Sequence, residues 1–419
     1  MKDFLKNPPL IVHKAKGAYL YTDQGEIIDG ISSWWCKSLG HAHPKIIHAL
    51  RQQLNKFEHV ITANTTFESL AQLGQELSEI SNNQHVLFAS DGASAVEIAM
   101  KLTLHAKKIQ GQPQRHEFIA LNNGYHGETL GALSLSSVNL YKEPYNNIGC
   151  KCHIINIPYV NGYNAPLQDN TKDLWTIILK QLEPIKEQCC AMIFEPLIQG
   201  AGGMQFYSAE LLTKLGQWAQ NNNIYLIADE IMTGIGRTGK WLASQYTELQ
   251  PELICISKGL TAGCLPMSCV MIAEQLFEVF YNDYETGASF LHSHTYSGNA
   301  LAVSAALATL DVIKTENLLK NTIDIGKNMY DHFMEIAKIT NKLINVRSLG
   351  AIVAADFINW SGKRLGYNFQ QLALKNGALL RPIGNTLYWL PPLNSDKLML
   401  DKLAEITLKS INTLYKLTT

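Results

Sequence analysis

Short apolar runs without polar interruption recur through the middle of the chain, separated by longer stretches with helical spacing. Val86-Leu87-Phe88-Ala89, Glu117-Phe118-Ile119-Ala120-Leu121, Ala191-Met192-Ile193-Phe194, Leu226-Ile227-Ala228-Asp229-Glu230 and Leu253-Ile254-Cys255-Ile256-Ser257-Lys258 are the clearest. A strand with one wet face would alternate; a run apolar at every position predicts burial on both faces, as in a parallel sheet. From about residue 40 to 310 such runs alternate with helix-like segments, which predicts an α/β fold with a mostly parallel central sheet. Before it, residues 17–30 read as a hairpin turning at Asp23-Gln24-Gly25. After it come a long helical segment, strand-like Val353–Phe357 and Thr386–Leu390, and a final helix. The expected division is a large domain over 33–315 and a smaller α+β domain from 1–32 with 316–419. No repeat or Pro/Gly/Ser-rich linker marks the boundary.

Bulk properties narrow the function classes. A chain of 419 residues suits two packed domains. Its net charge of −1 gives no broad basic surface for nucleic acid. No apolar stretch is long enough to span a bilayer, so no membrane partner is expected. Eight cysteines are present, Cys189 and Cys190 adjacent, and no secretory leader is legible. Reduced thiols in a cytoplasmic protein are the expectation. Metal is not expected: Cys150-Lys151-Cys152-His153 lacks a second ligand pair, and Gly40-His41-Ala42-His43-Pro44 lacks a third ligand.

Two of the buried runs end in charge, one in Asp229 and one in Lys258. Parallel sheets bind ligands at the carboxyl ends of their strands, so both charges are placed in the ligand crevice. An amine and a carboxylate delivered there match the needs of pyridoxal 5'-phosphate, a Schiff-base lysine and an acid for the pyridinium nitrogen. For the two residues in isolation, a surface ion pair at a sheet edge is the better explanation. Further blocks bear on the choice. Ser90-Asp91-Gly92-Ala93-Ser94 joins a strand to a helix, and Gly92, Ala93 and Ser94 would offer first-turn amides to a phosphate. Asn123-Gly124-Tyr125-His126-Gly127 places an aromatic ring where it could lie on a planar cofactor. Glu195-Pro196 follows another strand and leads into the slim loop Gln199–Gly203. Trp34-Trp35 is an unusual pair, one member of which would line a pocket. Arg237 and Arg381 are candidate carboxylate clamps, though spacing alone does not single them out.

In this order the blocks resemble the class III aminotransferases, fold-type I enzymes of pyridoxal phosphate. Leu226–Gly239 is similar to the class signature and Ser257-Lys258-Gly259 to its lysine block; the likeness runs from about Gly17 onward. Ser32-Ser33-Trp34-Trp35, Glu195–Met204 and Arg381-Pro382-Ile383-Gly384, continuing to Tyr388, look most like the members that aminate 8-amino-7-oxononanoate. Relatives acting on ornithine, acetylornithine or 4-aminobutyrate are the alternative; adenosylmethionine is the implied donor and lysine the other option. The resemblance implies that Lys258 binds the cofactor and shuttles a proton, with Asp229 on the ring nitrogen and Tyr125 over the ring. The implied cofactor contacts are Gly92, Ala93, Ser94, Tyr125, His126, Glu195, Asp229 and Lys258, joined by His294 and Thr295 from the second chain of a homodimer. Implied substrate contacts are Trp34, Trp35, Tyr125, Arg237, Lys258, Ser293, Arg381 and Tyr388, with Arg381 taking a carboxylate. The chain departs from the family twice. Sixteen residues precede Gly17 and none is the upstream tyrosine of the family. Asp-Gly-Ala also stands where Ser-Gly-Ser is common, which removes a hydroxyl donor at Ala93.

Overall fold

The computed structural model describes residues 2–168 and 174–416. Its central sheet has seven strands: β1 (His85–Ala89), β2 (Glu117–Leu121), β3 (Cys152–Ile155), β4 (Cys189–Phe194), β5 (Tyr225–Asp229), β6 (Leu253–Ile256) and β7 (Ser268–Ile272). Their spatial order is β1-β7-β6-β5-β4-β2-β3. Only β7 runs against its neighbours, so the other strands share a carboxyl edge. The mostly parallel sheet read from the uninterrupted apolar runs is therefore present. Alternate residues of each strand enter different cores. Leu226 and Ala228 join one apolar cluster and Ile227 the other, and in β6 Ile254 and Ile256 part from Leu253 and Cys255. Burial on both faces is why these runs lack the alternation of a half-wet strand.

Two four-stranded sheets flank this core, and Ile198–Gln199 pairs with Gln205–Phe206 as a separate ribbon. Val12–Lys16, Tyr19–Thr22 and Gly25–Asp29 form an antiparallel ribbon, extended by Ala378–Leu379 lying parallel to Gly25–Asp29. The expected hairpin thus has an added strand from far along the chain. In the second, Leu343–Ser348, Val353–Phe357 and Thr386–Trp389 pair antiparallel, and Gly162–Tyr163 is added from the middle of the sequence. Such two-residue strands carry no periodicity to read. Among the described residues no helix is long and apolar enough to cross a membrane.

The helix Leu318–Thr340 meets the turn before Val353–Phe357 through Gly326, where an added Cβ would stand 2.2 Å from the Gly350 carbonyl oxygen. Backbone cannot yield there as a flexible side chain could. Gly326→Ala should therefore lower stability by about 1–3 kcal/mol, the usual cost of overpacking. An unchanged urea midpoint would show that the turn moves freely.

Candidate active site

The carboxyl edge brings the chemistry-bearing residues together. Asp229 ends β5, Glu195 follows β4 directly, Lys258 stands two residues beyond β6, and β1 and β2 lead into Gly92-Ala93 and Tyr125-His126. All seven line one cavity of about 280 Å³, together with Trp34 and Trp35. That volume is at the small end for a ligand site.

The acids are fixed by hydrogen bonds rather than by solvent. His126, buried, pairs its Nδ1 with Asp229 Oδ2 at 2.8 Å, while the Ile231 amide donates to Asp229 Oδ1 at 3.2 Å. Glu195 accepts from the amides of Tyr125 (3.0 Å) and Gly200 (2.8 Å). Burial pushes the Glu195 carboxyl up to about 7; His126 and these amides oppose the shift, and Asp229 adds to it. Lys258 is shifted down by burial, against the pull of Asp229 and Glu195. A buried amine shifted this way is more easily neutral, hence nucleophilic. Its Nζ lies 4.7 Å from the centre of a Trp35 ring. Tyr125 donates its hydroxyl to Glu128 at 2.9 Å and meets Tyr141 edge-on, with ring centres 5.5 Å apart. Burial, then Glu128, hold its phenol well above the ordinary value.

Trp34 and Trp35 owe their positions to an unusual backbone. Ser32, Ser33, Trp34 and Trp35 have φ of 50°, 44°, 67° and 75°, a left-handed turn without glycine. It closes through Trp35 N to Ile31 O (2.9 Å) and Cys36 N to Ser32 O (3.0 Å). Left-handed helical backbone costs L-residues about 1–2 kcal/mol each, so the turn needs outside support. The result puts Trp35 inside, its Nε1 donating to Tyr388 Oη at 3.1 Å, and leaves Trp34 about half exposed (53%) under the Arg381 guanidinium at 3.8 Å.

Other expected residues stand differently. Ser94 lies beyond the cavity wall. Its amide and hydroxyl both donate to the Asp91 carboxylate, at 3.0 and 2.9 Å, which caps the helix Gly92–Ile109. Gly92 and Ala93 precede the first helical bond, from Ala95 N to Asp91 O, so their amides face the cavity end of the helix. Gly127, at φ +128°, lets the Tyr125 loop approach, since a Cβ there would lie 2.7 Å from that of Ala93. Arg237 is buried off the cavity, donating to the carbonyls of Pro391 (2.5 Å) and Ala351 (3.4 Å). Burial pushes it down to about 9. Tyr388 backs Trp35 rather than facing the cavity, with its phenol pushed up to about 12 by burial. Ser293, His294 and Thr295 line a separate cavity with His59 and Ile61. Glu128 and Tyr141 went unremarked in the sequence; only the three-residue spacing of Glu128 from Tyr125 hinted at the bond. Another buried cation, Arg347, spends all its donors on Met204 O, Gly203 O, Asn345 O and Asp356, clamping the loop whose Gly200 amide holds Glu195.

The donors fit pyridoxal phosphate. Asp229 keeps acceptor capacity on both oxygens, His126 Nε2 is buried without a protein partner, and first-turn amides are available for an anion. Fold and site together define a fold-type I pyridoxal phosphate enzyme. The chain belongs to the class III aminotransferases: residues 3–411 match the family model described as Aminotransferase class-III. It is similar to the adenosylmethionine-8-amino-7-oxononanoate aminotransferase of Helicobacter pylori, 35% identical over 400 residues, 94% of this chain and 89% of the relative. The enzyme of that name from Synechococcus elongatus is 36% identical over 391 residues, 92% of this chain and 90% of the relative. Among solved structures, that of Methanocaldococcus jannaschii superposes with a TM-score of 0.92 at 28% identity, covering 98% and 95% of the two chains. An amine transaminase from an uncultivated Pseudomonas species, in its PLP-bound form, gives 0.89 at 26% identity over 98% and 96%. The family resemblance read from the sequence is thereby borne out, and with it the cofactor.

Because folding raises Glu195 from 4.5 to about 7, the native chain holds that proton more tightly than the unfolded one. The stabilisation is complete below pH 4.5 and gone above pH 7. Urea midpoints of the cofactor-free protein should carry a downward contribution with rising pH across that window, which Glu195→Gln should remove. Parallel pH profiles for the two proteins would contradict the shift.

Proposed function

We propose that this chain transfers an amino group to 8-amino-7-oxononanoate, forming 7,8-diaminononanoate in biotin synthesis, with S-adenosylmethionine as donor. The observation that carries the substrate is the Arg381 guanidinium stacked at 3.8 Å on Trp34, beside the cavity that holds Lys258. A guanidinium outside and an amine inside suit a ketone whose reacting carbon is separated from a terminal carboxylate by an aliphatic chain. The relatives carrying that substrate in their names support the reading.

When bound, pyridoxal phosphate supplies a carbonyl to carry the amino group and a ring that delocalises the electron pair of the deprotonated carbon. The protein does the rest. Lys258 would hold the cofactor and, its hold on a proton loosened by burial, would take and return a proton at Nζ. Asp229, oriented by His126, would offer a carboxylate oxygen to the pyridine nitrogen. Gly92 and Ala93 would offer amides to the phosphate, and Tyr125, steadied by Glu128 and Tyr141, would cover the ring. Trp34 and Trp35 line the acceptor's path.

We take residues 33–315 as the cofactor-binding domain and 1–32 with 316–419 as the smaller one. The enzyme works as a cytoplasmic homodimer in which Ser293, His294 and Thr295 reach the partner's phosphate. Their place away from Lys258, beside exposed Leu291 and Tyr296, supports this, and all eight cysteines being unpaired suits a reducing compartment.

Borohydride reduction of the holoprotein should fix the cofactor on the peptide bearing Lys258, and Lys258→Ala should be colourless and unlabelled; label on another lysine would refute the assignment. With 8-amino-7-oxononanoate as acceptor, a screen of adenosylmethionine, lysine and other amines should give product with adenosylmethionine. No product with any donor would remove the proposed substrate. Arg381→Ala should raise KM for the ketone by about 10–100-fold, the worth of a charged hydrogen bond, and leave the donor half-reaction within a few-fold. Equal loss in both halves would take the carboxylate role from Arg381.

A further inference from the structure

The left-handed turn at Ser32–Trp35 is held from one point. Asp29, 1% exposed at the end of the strand Gly25–Asp29, receives four donors on its carboxylate. The amides of Ser33 (2.9 Å) and Ile31 (3.4 Å) reach Oδ1; the Ser33 hydroxyl (2.7 Å) and His41 Nε2 (2.9 Å) reach Oδ2. A second anchor, Ser32 Oγ to Leu390 O at 2.8 Å, holds the start of the turn. The strand that delivers Asp29 also lies parallel to Ala378–Leu379, pairing Leu379 with Asp29 itself. Arg381 follows two residues later. One strand pair therefore sets the Trp34 and Arg381 halves of the stacked pair together, and the Asp29 carboxylate fixes how the turn leaves that pair.

We propose that Asp29, supported by His41, is a positioning residue for the substrate pocket: its carboxylate holds the left-handed turn that presents Trp34 to Arg381 and Trp35 to Lys258. The pocket's use for a carboxylate-bearing ketone rests on the function proposed above. The Ser33 and Ile31 amides can only donate, and a carboxylate, acceptor-only, has room for them and for the Ser33 hydroxyl and His41 on its two oxygens. Asparagine keeps the volume but turns an NH2 toward either the Ser33 amide or the Ser33 hydroxyl and His41. The turn then loses support while its backbone preference for right-handed φ remains. Glycine at position 33 would remove that preference where φ is 44°, since glycine takes positive φ freely, and would keep the amide.

The test compares holoenzymes of wild type, Asp29→Asn and Asp29→Asn with Ser33→Gly. Readouts are steady-state kinetics and the fluorine spectrum after 5-fluorotryptophan labelling, the Trp34 resonance being assigned by its loss in Trp34→Phe. Asp29→Asn should raise KM for the ketone by about tenfold, the scale of one lost charged hydrogen bond, with a smaller change in kcat, and should displace the Trp34 resonance. The added Ser33→Gly should return both toward wild type. Either readout unchanged in Asp29→Asn, kcat falling as much as KM rises, or a double variant no better than the single one would overturn the proposal. If the wild type fails to use the ketone, the proposed substrate falls, and the resonance with its rescue by Ser33→Gly still decides whether Asp29 holds the turn.

Discussion

The buried bond between His126 and Asp229, 2.8 Å long, is the constraint on which the site depends. Burying a carboxylate is costly unless its oxygens find donors. His126 and the Ile231 amide meet that need and join the loop after β2 to the end of β5, across the intervening β4. With Asp229 held by these two bonds, its neighbours feel it in opposite ways. Glu195 is pushed toward neutrality chiefly by burial, with Asp229 adding, and Lys258 is drawn back toward its charged form by both acids against a larger desolvation. A hydrogen-bonded carboxylate, an acid pushed up to about 7 and an amine with a weakened hold on its proton thus share one small space.

Around this centre the backbone is bent into conformations that only packing sustains. Besides the turn at Ser32–Trp35, Lys258 itself has φ of 40°, and Leu197 and Met204, at 66° and 48°, flank the loop that holds Glu195. Non-glycine residues in this region cost about 1–3 kcal/mol each and persist where surrounding contacts over-determine them. Those contacts are identifiable. Asp29 holds the tryptophan turn, and Arg347 clamps Gly203 and Met204 from the second small sheet. The small sheets are therefore part of the site's support although they contribute few atoms to its wall.

The two buried arginines show how differently one side chain can be used. Arg347 is saturated by a carboxylate and three carbonyls, an arrangement that rigidifies. Arg237 has carbonyls on one arm, while its Nη2 is buried without a protein partner. Burial depresses its affinity for a proton accordingly. Neither arginine could be told from a surface residue by spacing, because each role depends on carbonyls more than a hundred residues distant, Met204 and Gly203 for Arg347 and Ala351 and Pro391 for Arg237.

The sequence by itself determined the sheet and the chemistry. Uninterrupted apolar runs can be satisfied only by burial on both faces, which orders the strands as parallel and sends Asp229, Lys258, Glu195 and Tyr125 to one edge. It also carried the family likeness in the signature around Asp229 and the lysine block. What it left undecided were contacts between distant segments and backbone that breaks its own preferences. Two-residue strands have no period, so the added strands at 162–163 and 378–379 were silent. Trp34-Trp35 could be seen as odd, yet the left-handed turn that separates their faces follows from no local propensity, since every residue in it prefers the opposite hand. Only the folded chain, by bringing Asp29, His41, Tyr388 and Arg381 around that turn, decided where the two tryptophans stand.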